Sequence, residues 1–190
     1  MNELKESTVM FTGRRPKDLV GYVTDLYRQF VDDLSAYICR LYDRGFRCFI
    51  SGGAQGFDQL VFWAVNKAKR KHPDIRNICY IPFPEYGIRW PKASLFGQND
   101  FALMLRLADE VRYTADTSSI LAILRRNSDM CDDASLCVAL FPDDSWRDIS
   151  RGSGTASCMK YAFSHGMHIE QIQYAIADNH LHFGNVVSVQ

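Results

Sequence analysis

The stretch Phe49-Ile50-Ser51-Gly52-Gly53-Ala54-Gln55-Gly56-Phe57-Asp58 indicates the fold class of this chain. An apolar run ends there in a glycine-rich turn, and an amphipathic segment from Gln59 to Arg70 follows, which predicts a strand, a tight turn and a helix. Glycines let the backbone approach a ligand closely, and the first turn of a helix offers unpaired N–H groups to an anion. The spacing matches neither the P-loop nor the G-x-G-x-x-G pattern. The turn therefore predicts either an anion site or a plain connection between strand and helix, which also favours glycine.

A second glycine cluster lies further along the chain. Arg151-Gly152-Ser153-Gly154-Thr155 follows an apolar strand candidate, Leu136 to Phe141, and precedes a helical run of small residues from Ala156 to Ser164. A nucleotide site at the carboxyl ends of parallel strands requires such turns between strands and helices. Two of them in one chain favour a shared nucleotide site over two plain turns.

The composition is that of an ordinary globular protein. A length of 190 residues fits one domain, residues 1–190. The chain is 47% hydrophobic and 23% charged, a composition that is too apolar for a disordered protein. Lys and Arg together number 22 and are balanced by 22 Asp and Glu. No bulk positive charge therefore favours duplex nucleic acid, and we do not expect nucleic acid as a partner.

The sequence carries no sign of a membrane segment. Residues 1–8 are polar and charged, without the apolar core of a signal peptide. No apolar run approaches the roughly 20 residues that span a bilayer. We expect a cytoplasmic protein with no membrane partner. Its oligomeric state stays open, with a homo-oligomer among the alternatives.

The cysteines and histidines lack the spacing of a metal site. The six cysteines are Cys39, Cys48, Cys79, Cys131, Cys137 and Cys158. None forms a C-x-x-C pair, so buried free thiols in a reducing compartment are expected. His180 and His182 could bind a metal as a pair, but an exposed or edge-strand position is the simpler interpretation. We expect no metal and no cofactor.

Strand and helix patterns alternate along the chain. Strands are predicted at 9–12, 47–51, 77–83, 109–113, 136–141 and 168–172. Helices are predicted at 18–44, 58–70, 95–107, 118–131 and 155–165, with a polar loop at 142–150 and an edge strand or hairpin within 173–190. This alternation predicts a Rossmann-like, doubly wound α/β fold with a mainly parallel sheet and helices on both faces.

In such a sheet, ligands bind beyond the carboxyl ends of the strands. We therefore expect four segments to meet at one edge: Thr12–Arg15, Ser51–Asp58, Pro82–Trp90 and Gly152–Thr155.

Ordered motifs carry a family resemblance across residues 9–172. They are Thr12-Gly13-Arg14-Arg15-Pro16, the stretch Ser51 to Asp58, Ile81-Pro82-Phe83 with Trp90, Arg126-Asn127 with Met130, and Gly152-x-Gly154-Thr155. Together they resemble the SLOG superfamily, in its YpsA-like branch. Relatives by fold include the Lonely Guy phosphoribohydrolases, the DNA-processing protein DprA and antiphage domains that sense ADP-ribose derivatives. The resemblance implies a Rossmann-like fold that binds a nucleotide or a nucleotide-derived, ADP-ribose-like molecule.

One position departs from the Lonely Guy pattern, Pro-Gly-Gly-x-Gly-Thr-x-x-Glu. Cys158 stands where those enzymes have their catalytic Glu. Hydrolysis of an N-glycosidic bond needs a carboxylate that activates water or stabilises the developing positive charge, and a thiol does neither well. The resemblance thus implies retained phosphate binding and lost hydrolysis, unless another acid such as Asp132 or Asp133 replaces the Glu.

Individual candidates each have a simpler alternative. Arg14 and Arg15 could bind phosphate or be a solvated pair, and Asp58 could bind a ribose hydroxyl or cap a helix. Trp90 could stack on a base, although packing is the commoner role. The predicted ligand-binding residues are Thr12, Gly13, Arg14, Arg15, Ser51, Gly52, Gly53, Gln55, Asp58, Pro82, Trp90, Arg126, Gly152, Ser153, Gly154 and Thr155. No catalytic residue is assigned.

Three functions follow from these patterns and the resemblance. The first is binding of a nucleotide-derived ligand by a sensor, carrier or sequestering module. The second is a nucleotide phosphoribohydrolase or other N-glycosidase, which Cys158 disfavours. The third is a single-stranded DNA-binding accessory protein similar to DprA, which the absence of a basic stripe interleaved with aromatic residues disfavours.

Overall fold

The computed structural model describes residues 3–150 and 152–189, so Arg151 of the second glycine cluster lies outside the described residues. The strands are β1 (Thr8–Thr12), β2 (Cys48–Ser51), β3 (Arg76–Ile81), β4 (Glu110–Tyr113), β5 (Leu136–Leu140), β6 (His168–Ala177) and β7 (His180–Val189). They form one seven-stranded sheet in the order β4-β3-β2-β1-β5-β6-β7. All neighbouring pairs are parallel except β6 and β7, which form an antiparallel hairpin.

The chain has six helices in its described part, of which the first precedes β1 and the other five connect the parallel strands. They are α1 (Glu3–Glu6), α2 (Arg28–Asp43), α3 (Phe57–Lys69), α4 (Gln98–Leu107), α5 (Ile120–Asp132) and α6 (Gly154–Ser164). Short 3₁₀ turns occupy Pro16–Asp18, Thr24–Tyr27 and Asp144–Arg147.

Side chains of the central strands alternate between two cores, as the period of two residues in a strand requires. In β1, Val9 and Phe11 pack with α2 and α3, whereas Met10 packs on the other face with α5 and α6. In β5, Leu136 joins the first core and Cys137 the second. Helices therefore cover both faces of the sheet, and the predicted Rossmann-like, doubly wound fold is confirmed.

The strand order reverses between β1 and β5. From β1 the sheet grows one way through β2, β3 and β4, and the other way through β5 and β6. The loops that leave β1 and β5 consequently diverge and open a crevice at the carboxyl ends of these strands. Ligands of open α/β sheets bind at such switch points.

Two local predictions were wrong. The helix predicted at 18–44 begins only at Arg28, because Gly21 has a φ of +76° and the chain instead makes short 3₁₀ turns. The loop predicted at 142–150 contains the Asp144–Arg147 turn, and its Trp146 is almost fully buried in the second core. The amphipathic pattern concealed the late beginning of α2, and the polar composition of the loop concealed the buried turn.

The cysteines are free, and five of them are buried, with Cys39 partly exposed. Among the described residues, no group of three or more potential ligands could hold a metal ion. Over residues 3–150 and 152–189, the helices are all too short or too polar to cross a bilayer.

Candidate functional site

A charged cavity of about 340 Å³ lies at the β1/β5 switch point. Three loops build it, because the carboxyl ends of β2, β1 and β5 are neighbours in the sheet. Its lining is Thr12, Gly13, Arg14, Arg15, Lys17, Asp18, Ala54, Asp58, Ile123, Arg126, Asn127, Gly152, Ser153, Gly154 and Thr155. Most of the predicted ligand-binding residues are therefore brought together.

Hydrogen bonds between the loops fix the shape of this cavity. The Thr155 hydroxyl donates to the Gly13 carbonyl at 2.6 Å, which ties the beginning of α6 to the end of β1. The backbone N–H of Phe57 donates to the Arg14 carbonyl at 3.1 Å, which ties the beginning of α3 to the same loop. The loop after β1 is thus held from both sides.

The N-terminus of α6 forms one wall and remains open. Ser153 is the N-cap, and its hydroxyl accepts a hydrogen bond from the backbone N–H of Ala156 at 3.1 Å. The first N–H groups of a helix have no partner inside it, so those of Gly154 and Thr155 are available to a ligand. Apart from chain neighbours and the α6 backbone, no atom of the described residues lies within 4 Å of a Cβ atom added at Gly152 or Gly154. Space for an anion therefore lies directly against the positive end of this helix.

Two arginines after β1 contribute positive charge. Arg14 pairs with Asp18 at 3.3 Å and lies over the Phe141 ring, with 4.9 Å between its guanidinium carbon and the ring centroid. Its Nε is a buried donor that has no hydrogen-bond partner among the described residues. Arg15 is held by a 3.4 Å hydrogen bond to the Tyr86 hydroxyl. Burial alone would lower the pKa of Arg15, but Tyr86 and Asp58 outweigh it and raise this pKa, so the charge is firmly kept.

Asp58 and Arg126 form a buried pair at the floor. Arg126 Nη1 lies 3.7 Å from Asp58 Oδ2 and donates to the Gly52 carbonyl. Asp58 also accepts the Ala54 N–H at 3.2 Å. Burial raises the pKa of Asp58, while the positive charges of Arg126 and Arg15 oppose that shift. The N-cap of α3 is Gly56, so Asp58, the second residue of that helix, is not its cap. Asp58 instead stabilises the preceding turn.

The first glycine turn faces the protein more than the cavity. Gly53 has a φ of +69°, and a Cβ there would lie 2.6 Å from Ile81 Cδ1 and 3.1 Å from Phe101. A Cβ at Gly52 would overlap the Arg126 guanidinium. This turn therefore serves close packing and the Arg126 contact.

The remaining predicted residues lie outside the charged cavity. Trp90 packs edge-on against Tyr86 and Phe101, with ring centroids 5.2 Å and 5.1 Å away. The Gln55 amide donates to the Phe96 carbonyl at 3.0 Å, so it secures the segment before α4. Ser51 is fully buried at the end of β2, and Pro82 is buried at the end of β3.

Five lining residues were not among the predicted ligand-binding residues: Lys17, Asp18, Ala54, Ile123 and Asn127. The spacing of Asp18 four residues after Arg14 was a usable signal, because this spacing allows an ion pair. Ile123 carried no signal, since its role depends on how α5 approaches the switch point.

A second, more apolar groove of about 600 Å³ lies between α5 and α6. It is lined by Ala115, Ser119, Leu121, Ala122, Leu124, Arg125, Asn127, Ser128, Ser157, Cys158 and Tyr161. Asn127 belongs to both spaces, so the groove adjoins the charged cavity. Asp133 pairs with Arg112 at 2.9 Å, and neither Asp132 nor Asp133 lines the charged cavity.

Comparison with known proteins identifies the family. Residues 9–176 match the YpsA family model, described as the YspA SLOG family, and the chain belongs to this family. The chain is also similar to the uncharacterized SPbeta prophage-derived protein YoqJ of Bacillus subtilis (strain 168). The two are 32% identical over 126 residues, which cover 60% of this chain and 68% of that protein. The resemblance to the SLOG superfamily is confirmed.

Two solved structures share the fold. DNA processing protein A of Streptococcus pneumoniae aligns with a TM-score of 0.54 and 12% identity over 93% of this chain and 53% of that one. The Helicobacter pylori protein, whose structure is described in terms of its single-stranded DNA binding mode, aligns with a TM-score of 0.52 and 15% identity over 89% and 67% of the two chains. At these identities the likeness concerns the fold alone. The chain spans about half the length of the pneumococcal protein.

Proposed function

We propose that this protein binds a phosphorylated nucleotide or an ADP-ribose-like molecule in the charged cavity. The observation that carries this proposal is the open N-terminus of α6 facing Arg14 and Arg15 across the switch point. Backbone N–H groups, a helix dipole and two guanidinium groups are the donors that a phosphate group requires.

The charges of the cavity support an anionic ligand. Its cationic side chains are Arg14, Arg15, Lys17 and Arg126, and its anionic ones are Asp18 and Asp58. Asp18 compensates Arg14, and Asp58 compensates Arg126, which leaves Arg15 and Lys17 in excess. A bound phosphate would balance this excess.

The same cavity favours binding over hydrolysis. Cys158 is buried among apolar residues of the second core, and Asp58 is committed to Arg126 and Ala54. Neither group is an accessible carboxylate that activates water. A role as a sensor, carrier or sequestering module fits such a site.

A single-stranded DNA-binding role is the second candidate, favoured by the fold shared with the two DNA processing proteins. The volume of about 340 Å³ suits one phosphorylated nucleoside better than an extended strand. Competition for bound AMP separates the candidates. If the protein binds single-stranded DNA at this site, an oligo(dT) strand should displace bound AMP at a concentration far below the concentration of added AMP that has the same effect.

Calorimetric titration with AMP, ADP-ribose and inorganic phosphate tests the proposal. Gly154→Val should weaken the binding of the preferred ligand at least about tenfold, equal to about 1.4 kcal/mol, because the side chain would fill the space at the helix terminus. Ser164→Val, at the exposed opposite end of α6, is the matched control and should bind as the wild type does. Equal affinity of a folded Gly154→Val variant would refute the phosphate site.

Chromatography of the same mixtures tests the hydrolase alternative. We expect no steady release of free base from nucleoside monophosphates. Base release that Gly154→Val abolishes and Ser164→Val preserves would replace the binding proposal with an N-glycosidase.

A further inference from the structure

Two cysteine side chains meet where α5 packs on α6. Cys131 is near the end of α5, Cys158 is the fifth residue of α6, and their sulfur atoms are 4.0 Å apart. Both side chains are buried, with exposed fractions of 3% and 2%. Among the described residues, no other cysteine pair has its sulfur atoms in contact.

Cys158 also borders the groove between α5 and α6. A small molecule in this groove would reach Cys158 before Cys131, which does not line it. The Cys131 thiol lowers the pKa of Cys158, with help from the Thr12 hydroxyl and the Arg126 charge and against burial and Asp58, which raise this pKa. Because Cys158 borders the groove and Cys131 does not, and because the thiolate is the reactive form of cysteine, Cys158 is the nucleophile of the pair.

We propose that Cys131 and Cys158 form a reversible disulfide when a hydroperoxide enters the groove. In the first step, the Cys158 thiolate attacks the terminal peroxide oxygen. An S–O bond forms, the O–O bond breaks, and the leaving hydroxide or alkoxide takes up a proton.

In the second step, the Cys131 sulfur attacks the sulfenic acid on Cys158. An S–S bond forms, the S–O bond breaks, and the released hydroxide leaves as water with the Cys131 proton. In total, two thiols and one hydroperoxide give one disulfide, one alcohol or water molecule, and one further water molecule. The hydroperoxide is the oxidant, and a cellular dithiol would reverse the reaction.

A disulfide requires the two sulfur atoms to approach from 4.0 Å to about 2.05 Å. The helices that would be joined carry two walls of the charged cavity: α5 bears Arg126 and Asn127, and α6 begins at Gly154. The bond would fix these walls relative to each other. The proposal thus adds oxidant control to the proposed ligand site, although the thiol chemistry itself does not require a ligand.

Mass spectrometry of the native, full chain tests the modification. Reduced protein is treated with hydrogen peroxide, blocked with N-ethylmaleimide and digested without reductant. We expect the loss of two hydrogen atoms, a peptide pair that joins Cys131 to Cys158, and full reversal by dithiothreitol. The wild-type peptide map needs no variant to fold.

Variants then assign the roles. Cys158→Ser should abolish the reaction with peroxide, and Cys131→Ser should leave a sulfenic acid that dimedone traps on Cys158. Cys39→Ser is the control, because Cys39 is the partly exposed thiol on α2 and should not affect the linkage.

Three results would overturn the proposal: a link between Cys137 and Cys158, a first modification at Cys39, or oxidation of Cys158 only after the protein has been unfolded with urea. These readouts are independent of nucleotide titration, so a failed disulfide and a failed ligand site are distinguishable.

Discussion

The two glycine turns of this protein look alike in sequence and differ in their surroundings. The turn between β2 and α3 is enclosed: Gly53 lies against Ile81, and the Gly52 carbonyl is occupied by Arg126. The turn before α6 is open: apart from its chain neighbours and the α6 backbone, no atom of the described residues lies within 4 Å of a Cβ placed at Gly154. A glycine-rich turn after a strand therefore packs against protein atoms in one place and borders an open cavity in the other.

The difference follows from what each turn borders. The first turn lies between the buried Asp58–Arg126 pair and the packed helices α3 and α4. Its glycines therefore leave space that protein atoms fill. The second turn borders the crevice where the strand order reverses, and its glycines line the charged cavity. Substitutions in the first turn should chiefly affect stability, and those in the second should chiefly affect binding.

The largest expected effect is on the first turn. Asp58→Ala leaves the buried Arg126 charge without its carboxylate and should lower the free energy of unfolding by about 3–5 kcal/mol. Urea denaturation followed by circular dichroism measures this change. Asp25→Ala, which removes an exposed ion pair with Arg28, is the control and should leave the midpoint nearly unchanged. A wild-type midpoint for Asp58→Ala would show that the pair does not hold the turn.

A second experiment makes the same substitution in both turns. Gly53→Ala should cost about 1–3 kcal/mol of stability, because the methyl group meets Ile81 and the residue has a positive φ. Gly154→Ala should leave stability unchanged or raise it by up to about 1 kcal/mol, since alanine favours a helix. Thermal unfolding of both variants measures the difference. Equal destabilisation would remove the distinction between the two turns.

A third experiment concerns Arg15, which lines the charged cavity. Arg15→Ala should weaken AMP binding about ten- to a hundredfold, because one charge-assisted hydrogen bond contributes roughly 1.5–3 kcal/mol. Calorimetry at fixed ionic strength measures the affinity. Arg28→Ala removes an exposed arginine with the same charge and should have no effect. Similar losses in both variants would indicate a non-specific attraction between charges.

The smallest expected effect is a pH dependence of the free energy of unfolding that arises from Asp58, next to the first glycine turn. The folded-state pKa of Asp58 lies above its ordinary value of 3.8, so the folded protein binds the proton more tightly than the unfolded chain does. The Asp58 contribution to stability should therefore increase as the pH falls from the folded-state pKa to 3.8. Urea denaturation across this window, compared with Asp58→Asn, isolates the effect. Parallel pH profiles for the two proteins would contradict it.

The sequence could predict the fold because local and global signals agree. Continuous apolar runs in β1 and β5 point to two covered faces, and the strand-turn-helix order points to parallel connections. The beginning of α2 could not be predicted, because the apolar spacing continues through a segment that Gly21 interrupts. Trp146 was missed for a similar reason: a single aromatic residue in a polar loop gives no periodic signal.

The site was harder to predict than the fold. Residues next to the strand ends, such as Arg14 and Gly154, follow from the general position of ligands in α/β sheets. Gln55 and Trp90 lie in the loops after β2 and β3 at the same edge of the sheet but contact Phe96 and Phe101, and loop spacing does not encode this direction. The contribution of Ile123 depends on the strand order, which brings α5 to the crevice.

The hydrogen bond from Thr155 to Gly13 also has a consequence for biosynthesis. It joins positions 142 residues apart, so the ribosome has made most of the chain before the loop after β1 can meet α6. Strands β1 to β4 can pair earlier, but contacts of such long sequence separation form late because closing the intervening loop costs entropy. The charged cavity is therefore incomplete until β5 and α6 dock. The proposed ligand would stabilise only the completed fold, which would couple the completion of folding to the supply of that ligand.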